Sequence, residues 1–148
     1  MRGDAQDVLM DYNAIQTICK KTGHIKHLNI TGGEPSLVPD ALKYLLFYLK
    51  SYSCRIGEFF CATNAQEYSK EFADALTDLY YYCEHPELCM LTISIDQFHS
   101  AADPLALQEY RKLPFYNPTV RPLQKRFPRQ LRRILRNMMC FCFRTMVL

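Results

Sequence analysis

The sequence predicts an α/β fold with a parallel sheet, built from a leading helix and about three βα units. Two observations carry this prediction. Apolar runs typical of buried strands lie at 25–31, 56–63 and 89–95, and stretches with helical periodicity separate them. Strands that alternate with helices in this order form parallel sheets with right-handed crossovers. We therefore expect the polar residues that end the three strands to share one edge of the sheet.

The first predicted helix spans 5–22, because apolar residues recur there at spacings of three and four. Its apolar stripe consists of Val8, Tyr12, Ile15 and Cys19. Gly23 follows Lys20 and Lys21, so it is expected to end this helix at the C′ position.

Three further helices are predicted over 39–52, over 66–83 and from Asp103 onward. Asp40 is the expected N-cap of the first, whereas Asp103 and Pro104 provide an N-cap and an N1 proline for the last. The predicted buried face of the helix over 39–52 consists of Leu42, Leu45, Leu46 and Leu49. That of the helix over 66–83 consists of Phe72, Leu76, Leu79 and Tyr80.

Charge divides the chain of 148 residues near Asn117 and Pro118. Residues 1–118 contain all 15 acidic residues, and residues 119–148 contain none of them and 8 of the 18 basic ones. We expect one domain over 1–118 and a basic tail over 119–148. No apolar run is long enough for a transmembrane helix and the N-terminus lacks a signal-peptide pattern, so the predicted location is cytoplasmic.

Two interpretations of the basic tail are open. An amphipathic helix over 128–139, with arginines on one side, would contact nucleic acid or an anionic membrane surface. Alternatively the tail is disordered, or a truncated or frameshifted end without a selected structure. The abrupt loss of acidic residues favours the second interpretation.

The stretch that follows the first strand is Thr31-Gly32-Gly33-Glu34-Pro35-Ser36. The two glycines permit backbone conformations and close approaches that a Cβ would prevent. Pro35 fixes its own φ and favours an extended Glu34. The residues therefore predict a stiff loop that presents backbone groups at a strand end, where ligands bind in α/β folds.

This stretch resembles the Gly-Gly-Glu-Pro segment of radical S-adenosylmethionine enzymes. The strand ends Thr63-Asn64 and Ser94-Ile95-Asp96 are similar to polar pairs of that family at matching spacing, so the resemblance covers about 5–117. It implies a truncated, partial (β/α) barrel of the radical SAM (TIM-barrel-like) type that binds S-adenosylmethionine at the strand ends. The implied cofactor-binding residues are Gly32, Gly33, Glu34, Pro35, Asn64, Ser94 and Asp96.

The resemblance also implies a [4Fe–4S] cluster, held in the family by Cys-x3-Cys-x2-Cys upstream of this segment. Here only Cys19 precedes Gly32, and no three of the seven cysteines have that spacing. We therefore expect no metal ligands and no catalysis by this chain alone, with a partner chain as one source of the missing loop. Cys54, Cys61, Cys83 and Cys89 are expected to pack as small apolar residues.

Two other classes of function remain open. One is a non-catalytic binding module whose basic tail contacts nucleic acid or membrane. The other is a different α/β enzyme that uses Glu34, Asp96 and His99 as acid–base groups. Each carboxylate or amide also has an ordinary structural interpretation: Asp96 as a turn residue, and Thr63-Asn64 as the N-cap of the helix over 66–83.

Overall fold

Four parallel strands form one sheet in the order β3-β2-β1-β4, and helices separate the first three strands along the chain. A computed structural model describes residues 11–94, 102–118 and 139–143. The elements are α1 (Tyr12–Lys21), β1 (His24–Gly32), α2 (Pro39–Ser51), β2 (Arg55–Thr63), α3 (Lys70–Tyr82), β3 (Met90–Ile93), α4 (Pro104–Tyr110) and β4 (Met139–Phe143). The predicted α/β class with a parallel sheet is therefore confirmed.

The first helix is shorter than predicted within the described part of the chain. Asp11 is its N-cap, because the carboxylate Oδ1 accepts a hydrogen bond from Asn13 N at 2.9 Å; residues 5–10 lie outside the described residues. Thr22 is the extended C-cap, so Gly23 stands at the predicted C′ position, without the left-handed φ that is usual there. Ile15 and Cys19 are buried as predicted, whereas Tyr12 is exposed and packs on a second tyrosine, Tyr44.

The N-caps of α2 and α3 are not the residues that the sequence predicted. Val38 is the N-cap of α2 and makes no side-chain cap, so the prediction for Asp40 is wrong; its carboxylate instead pairs with Lys43 Nζ at 3.0 Å. The next helix starts four residues later than predicted, because Ser69 Oγ accepts from Phe72 N at 3.2 Å and caps it.

The prediction for α4 is confirmed. Asp103 Oδ2 accepts from Ala106 N at 2.9 Å, and Pro104 occupies the first turn. An extended N-cap followed by a proline is a favourable start for a helix, since proline at N1 loses no hydrogen bond.

One face of the sheet is buried under the helices. Alternate residues of the strands point to it, and Leu28, Phe59, Cys61 and Leu91 are at most 1% exposed. The helices contribute buried residues at spacings of three and four; among these are Leu42, Leu45, Leu49, Phe72, Leu76, Leu79, Ala106 and Tyr110. Cys54, Cys83 and Cys89 are buried as predicted.

The opposite face of the sheet is half-buried and mixed in character. It carries the residues that alternate with the core positions, namely His27, Asn29, Glu58, Phe60 and Met90, and we call it the open face. Strands whose two faces differ in this way show the period of two at which successive side chains point to opposite faces of a sheet.

Both outer strands of the predicted three-stranded sheet have neighbours. Met139–Phe143 pairs in parallel with residues 28–32 of β1 and forms β4. On the other side, Leu91 N donates to Phe115 O and Leu91 O accepts from Asn117 N, both at 2.8 Å. Both edges of the three-stranded sheet are therefore paired. Met139 lies in a strand instead of the predicted basic helix, and residues 128–138 are outside the described part.

None of the helices in the described part of the chain is long and apolar enough to cross a membrane.

The buried phenol of Tyr110 predicts a loss of stability at alkaline pH. Burial raises the pKa of Tyr110 to about 12 from a model-compound value of 10, and its hydroxyl donates to Glu67 O at 3.3 Å. Because the unfolded chain releases this proton first, the free energy of unfolding should fall as pH rises from 10 towards 12. Urea unfolding at stepped pH should show a shallower fall in Tyr110→Phe. The exposed Tyr81→Phe is the matched control and should retain the wild-type fall; equal slopes in all three proteins would contradict the prediction.

Candidate functional site

The candidate site lies where β1, β2 and β3 end, at one edge of the sheet. We call the loop 32–36 together with Thr63, Asn64 and Ser94 the carboxyl edge. Two hydrogen bonds connect the three strand ends: Asn64 N donates to Glu34 Oε2 at 2.7 Å, and Ser94 N donates to Thr63 O at 2.8 Å. The structure thus brings together the predicted residues of the loop 32–35, Asn64 and Ser94.

The loop after β1 is built around Glu34. Its backbone is extended, with φ −119° and ψ 108°, as expected before a proline. Its side chain caps the short 3-10 turn Pro35–Leu37, because Oε1 accepts from Ser36 N at 3.1 Å and from Ser36 Oγ at 2.8 Å. Pro35 and Ser36 are buried by this turn, whereas Gly33 is exposed.

The same carboxylate also joins this loop to β2. Thr63 Oγ1 donates to Glu34 Oε1 at 2.6 Å, and Asn64 N donates to Oε2 at 2.7 Å. The side chain is buried, with 8% exposed, and it has no ion pair with a basic residue among the residues described. A buried charge is tolerated when hydrogen bonds replace its hydration, and four donors do so here.

These bonds change what the predicted residue Glu34 offers a ligand. Oε1 accepts three hydrogen bonds from the chain, whereas Oε2 accepts one and retains capacity for a second donor. The carboxylate therefore positions the carboxyl edge, and Oε2 is its oxygen with capacity for a further donor.

The end of β2 forms a tight turn and does not cap a helix. Thr63 Oγ1 accepts from Ala65 N at 3.2 Å, and Asn64 Oδ1 accepts from Gln66 N at 2.9 Å. Ala65 has a positive φ of 51°, so the chain reverses here, well before α3 begins. The alternative role of Thr63 and Asn64 as helix caps is wrong. The side-chain nitrogen of Asn64, Nδ2, has no partner among the described residues.

Ser94 follows β3 directly and is half-buried. Asp96 and His99 lie outside the described residues. Sequence reasoning assigned no role to Ser36, whose backbone N and hydroxyl both donate to Glu34 Oε1.

Charge and burial keep the thiol beneath the site protonated. Cys61 is on the buried face of β2, two residues before Thr63, and burial followed by the negative charge of Glu34 raises the pKa of its thiol. A protonated, fully buried thiol is neither a nucleophile nor a metal ligand.

The described residues provide no cluster of three or more His, Cys, Asp or Glu side chains that would hold a metal ion. Five cysteines, Cys19, Cys54, Cys61, Cys83 and Cys89, are buried and form no disulfide. These residues therefore do not fit a [4Fe–4S] cluster, which needs several thiolates at one place.

Comparison with known proteins gives no match: neither a protein-family model, nor a curated protein, nor a solved structure is significantly similar to this chain.

Proposed function

We propose that the carboxyl edge binds S-adenosylmethionine and that residues 1–118 are a partial (β/α) barrel domain of the radical SAM type. One observation supports this proposal most directly. The Gly-Gly-Glu-Pro loop, Thr63-Asn64 and Ser94 meet at the carboxyl ends of adjacent parallel strands, and hydrogen bonds through Glu34 and Thr63 hold them together. In open α/β sheets, ligands bind at such an edge.

The groups at this edge suit the polar groups of the proposed ligand. The methionyl ammonium needs acceptors, which the remaining position on Glu34 Oε2 and the backbone carbonyls near Gly32 and Gly33 would provide. The ligand carboxylate or ribose needs partners such as Asn64 Nδ2 and the Ser94 hydroxyl, neither of which bonds to a described residue. Asp96, also assigned to this ligand by resemblance, lies outside the described part.

The proposal assigns binding to this chain and does not assign catalysis. When bound, S-adenosylmethionine supplies a sulfonium group that a reducing partner can cleave. The described residues do not fit a [4Fe–4S] cluster, so the proposal assigns cluster ligands to none of them.

Asn64→Asp tests the proposal while preserving the local turn. The aspartate keeps an Oδ oxygen for Gln66 N but replaces the ligand-facing amide by a negative oxygen. Titration calorimetry with S-adenosylmethionine should show binding by the wild type and an affinity about tenfold lower in the variant.

Gln66→Glu is the control, because it adds the same charge on an exposed neighbour without removing a donor. It should bind nearly as tightly as the wild type. Absence of binding by the wild type would reject the proposal, and equal losses in the two variants would remove the assigned role of Asn64.

The alternative of a nucleic-acid or membrane contact through the basic tail stays a prediction, since residues 119–138 lie outside the described part. Deleting 119–148 would not test it cleanly, because the deletion removes β4 from the sheet. Replacing Arg129, Arg132, Arg133 and Arg136 by glutamine lowers the charge and leaves the strand in place.

A further inference from the structure

A histidine and a glutamate form a close pair on the open face, away from the carboxyl edge. His27 of β1 lies opposite Glu58 of β2 in the sheet register, and His27 Nδ1 is 2.6 Å from Glu58 Oε1. His27 lies five residues before Gly32, which corresponds to about 16 Å along the strand. The pair therefore belongs to a different part of the sheet from the proposed cofactor site.

The pairing determines how the imidazole presents its second nitrogen. A carboxylate can only accept hydrogen bonds, so Nδ1 carries the proton of the short contact. In the neutral ring Nε2 is then an acceptor, held in one orientation by Glu58. No described residue donates to this nitrogen. A carboxylate that orients a histidine through one ring nitrogen and leaves the other nitrogen available is a common arrangement in binding and catalytic sites.

A cavity of about 250 Å³ adjoins the pair. It is smaller than the pockets that hold drug-sized ligands, so it suits a small molecule. Its lining combines the polar pair and Asn29 with the apolar side chains of Phe60, Leu88 and Met90. An aromatic ring and a methionine thioether favour a planar apolar ligand.

The other histidines in the described part of the chain lack this combination. His24 uses Nε2 to contact Glu84 Oε2 at 3.0 Å, and Arg55 shares that carboxylate at 2.9 Å. His85 is exposed, and its Nδ1 lies 3.7 Å from Glu87. Neither residue lines the cavity.

We propose that this cavity binds a small ligand with a planar apolar body and one hydroxyl group, a phenol or a comparable alcohol. The ring of the ligand packs against Phe60 and Met90, and its hydroxyl donates to His27 Nε2. Glu58 is the positioning residue that holds the imidazole in the accepting tautomer. This site does not depend on the proposed S-adenosylmethionine site.

Phenol and toluene provide the test in the wild-type chain, because they share a ring and differ in the hydroxyl. NMR titration follows the His27 ring and the Met90 methyl group. We expect saturable shifts of both signals with phenol, and an affinity for toluene about fivefold lower. Saturable binding of toluene as tight as that of phenol, or no saturable shift with phenol, would overturn the proposal.

His27→Phe and His24→Phe complete the experiment. The first variant keeps a ring but has no nitrogen acceptor, so it should lower phenol affinity about fivefold without lowering toluene affinity. The second removes the histidine of an exposed pair outside the cavity and should change neither. An equal loss of phenol binding in both variants would also overturn the proposal. S-adenosylmethionine binding, measured separately, is expected to be unaffected in both.

Discussion

Replacing Glu34 by alanine is expected to lower the free energy of unfolding by about 3 kcal/mol. The carboxylate accepts four hydrogen bonds, two of them from Ser36 and two from Thr63 and Asn64. Thr63 is 1% exposed, so its hydroxyl would lose its acceptor in a place that water does not reach easily. A buried donor left without a partner costs far more than an exposed one.

Urea unfolding of two further variants separates the loss of the hydrogen bonds to Glu34 from the general effect of removing a glutamate. Glu67→Ala removes an exposed glutamate and should change stability by less than about 0.5 kcal/mol. Glu34→Gln keeps one oxygen for Ser36 and Thr63 but turns an amide NH2 towards Asn64 N, so its loss should be intermediate. A loss in Glu34→Ala no larger than that in Glu67→Ala would contradict the structural role of this carboxylate.

Gly57→Ala should be destabilising by about 3 kcal/mol, because the strands leave no room for a side chain. A Cβ at this position would stand 2.5 Å from Lys26 O and 3.3 Å from Lys26 C on the neighbouring strand. Both atoms belong to the backbone of β1, so relief requires a shift of one strand against the other. Glycine inside a strand is typical of such a close approach.

Gly23→Ala is the matched control within the same chain. An ideal Cβ at Gly23 meets no atom within 4 Å, and this substitution reduces the conformational freedom of the unfolded chain. We expect stability equal to the wild type or higher by about 0.5 kcal/mol. Chemical denaturation of the two variants measures the difference, and similar stabilities for both would show that β1 and β2 accommodate the added methyl group.

The elements of the domain could be predicted because their patterns are local. The leucines at spacings of three and four in 42–49 form the buried face of α2, and the apolar run over 56–63 forms β2, both as predicted. The residues at which helices begin were harder to predict. Asp40 and Asp103 both precede apolar helical faces, yet only Asp103 makes a cap, because capping depends on the backbone angle at which the chain enters the helix.

The candidate site was predictable in its location and not in its bonding. Glycine, proline and polar residues after apolar runs indicate strand ends, and parallel strands bring such ends to one edge. The partners of Glu34 could not be inferred in the same way, since Thr63 and Asn64 are 29 and 30 residues further along the chain. A carboxylate that looked like a ligand contact is also the main structural connection of the edge.

By itself the sequence determined the class of the fold, the order of its first helices and strands and the edge at which polar residues collect, because these depend on the periodicity of apolar residues. Only the tertiary structure decided that Met139–Phe143 pairs with β1, that Gly57 is confined by Lys26, and that His27 faces Glu58 beside a cavity. Each of these depends on strand order or register. Register is set by the packing of whole strands against one another, which no short stretch of sequence specifies.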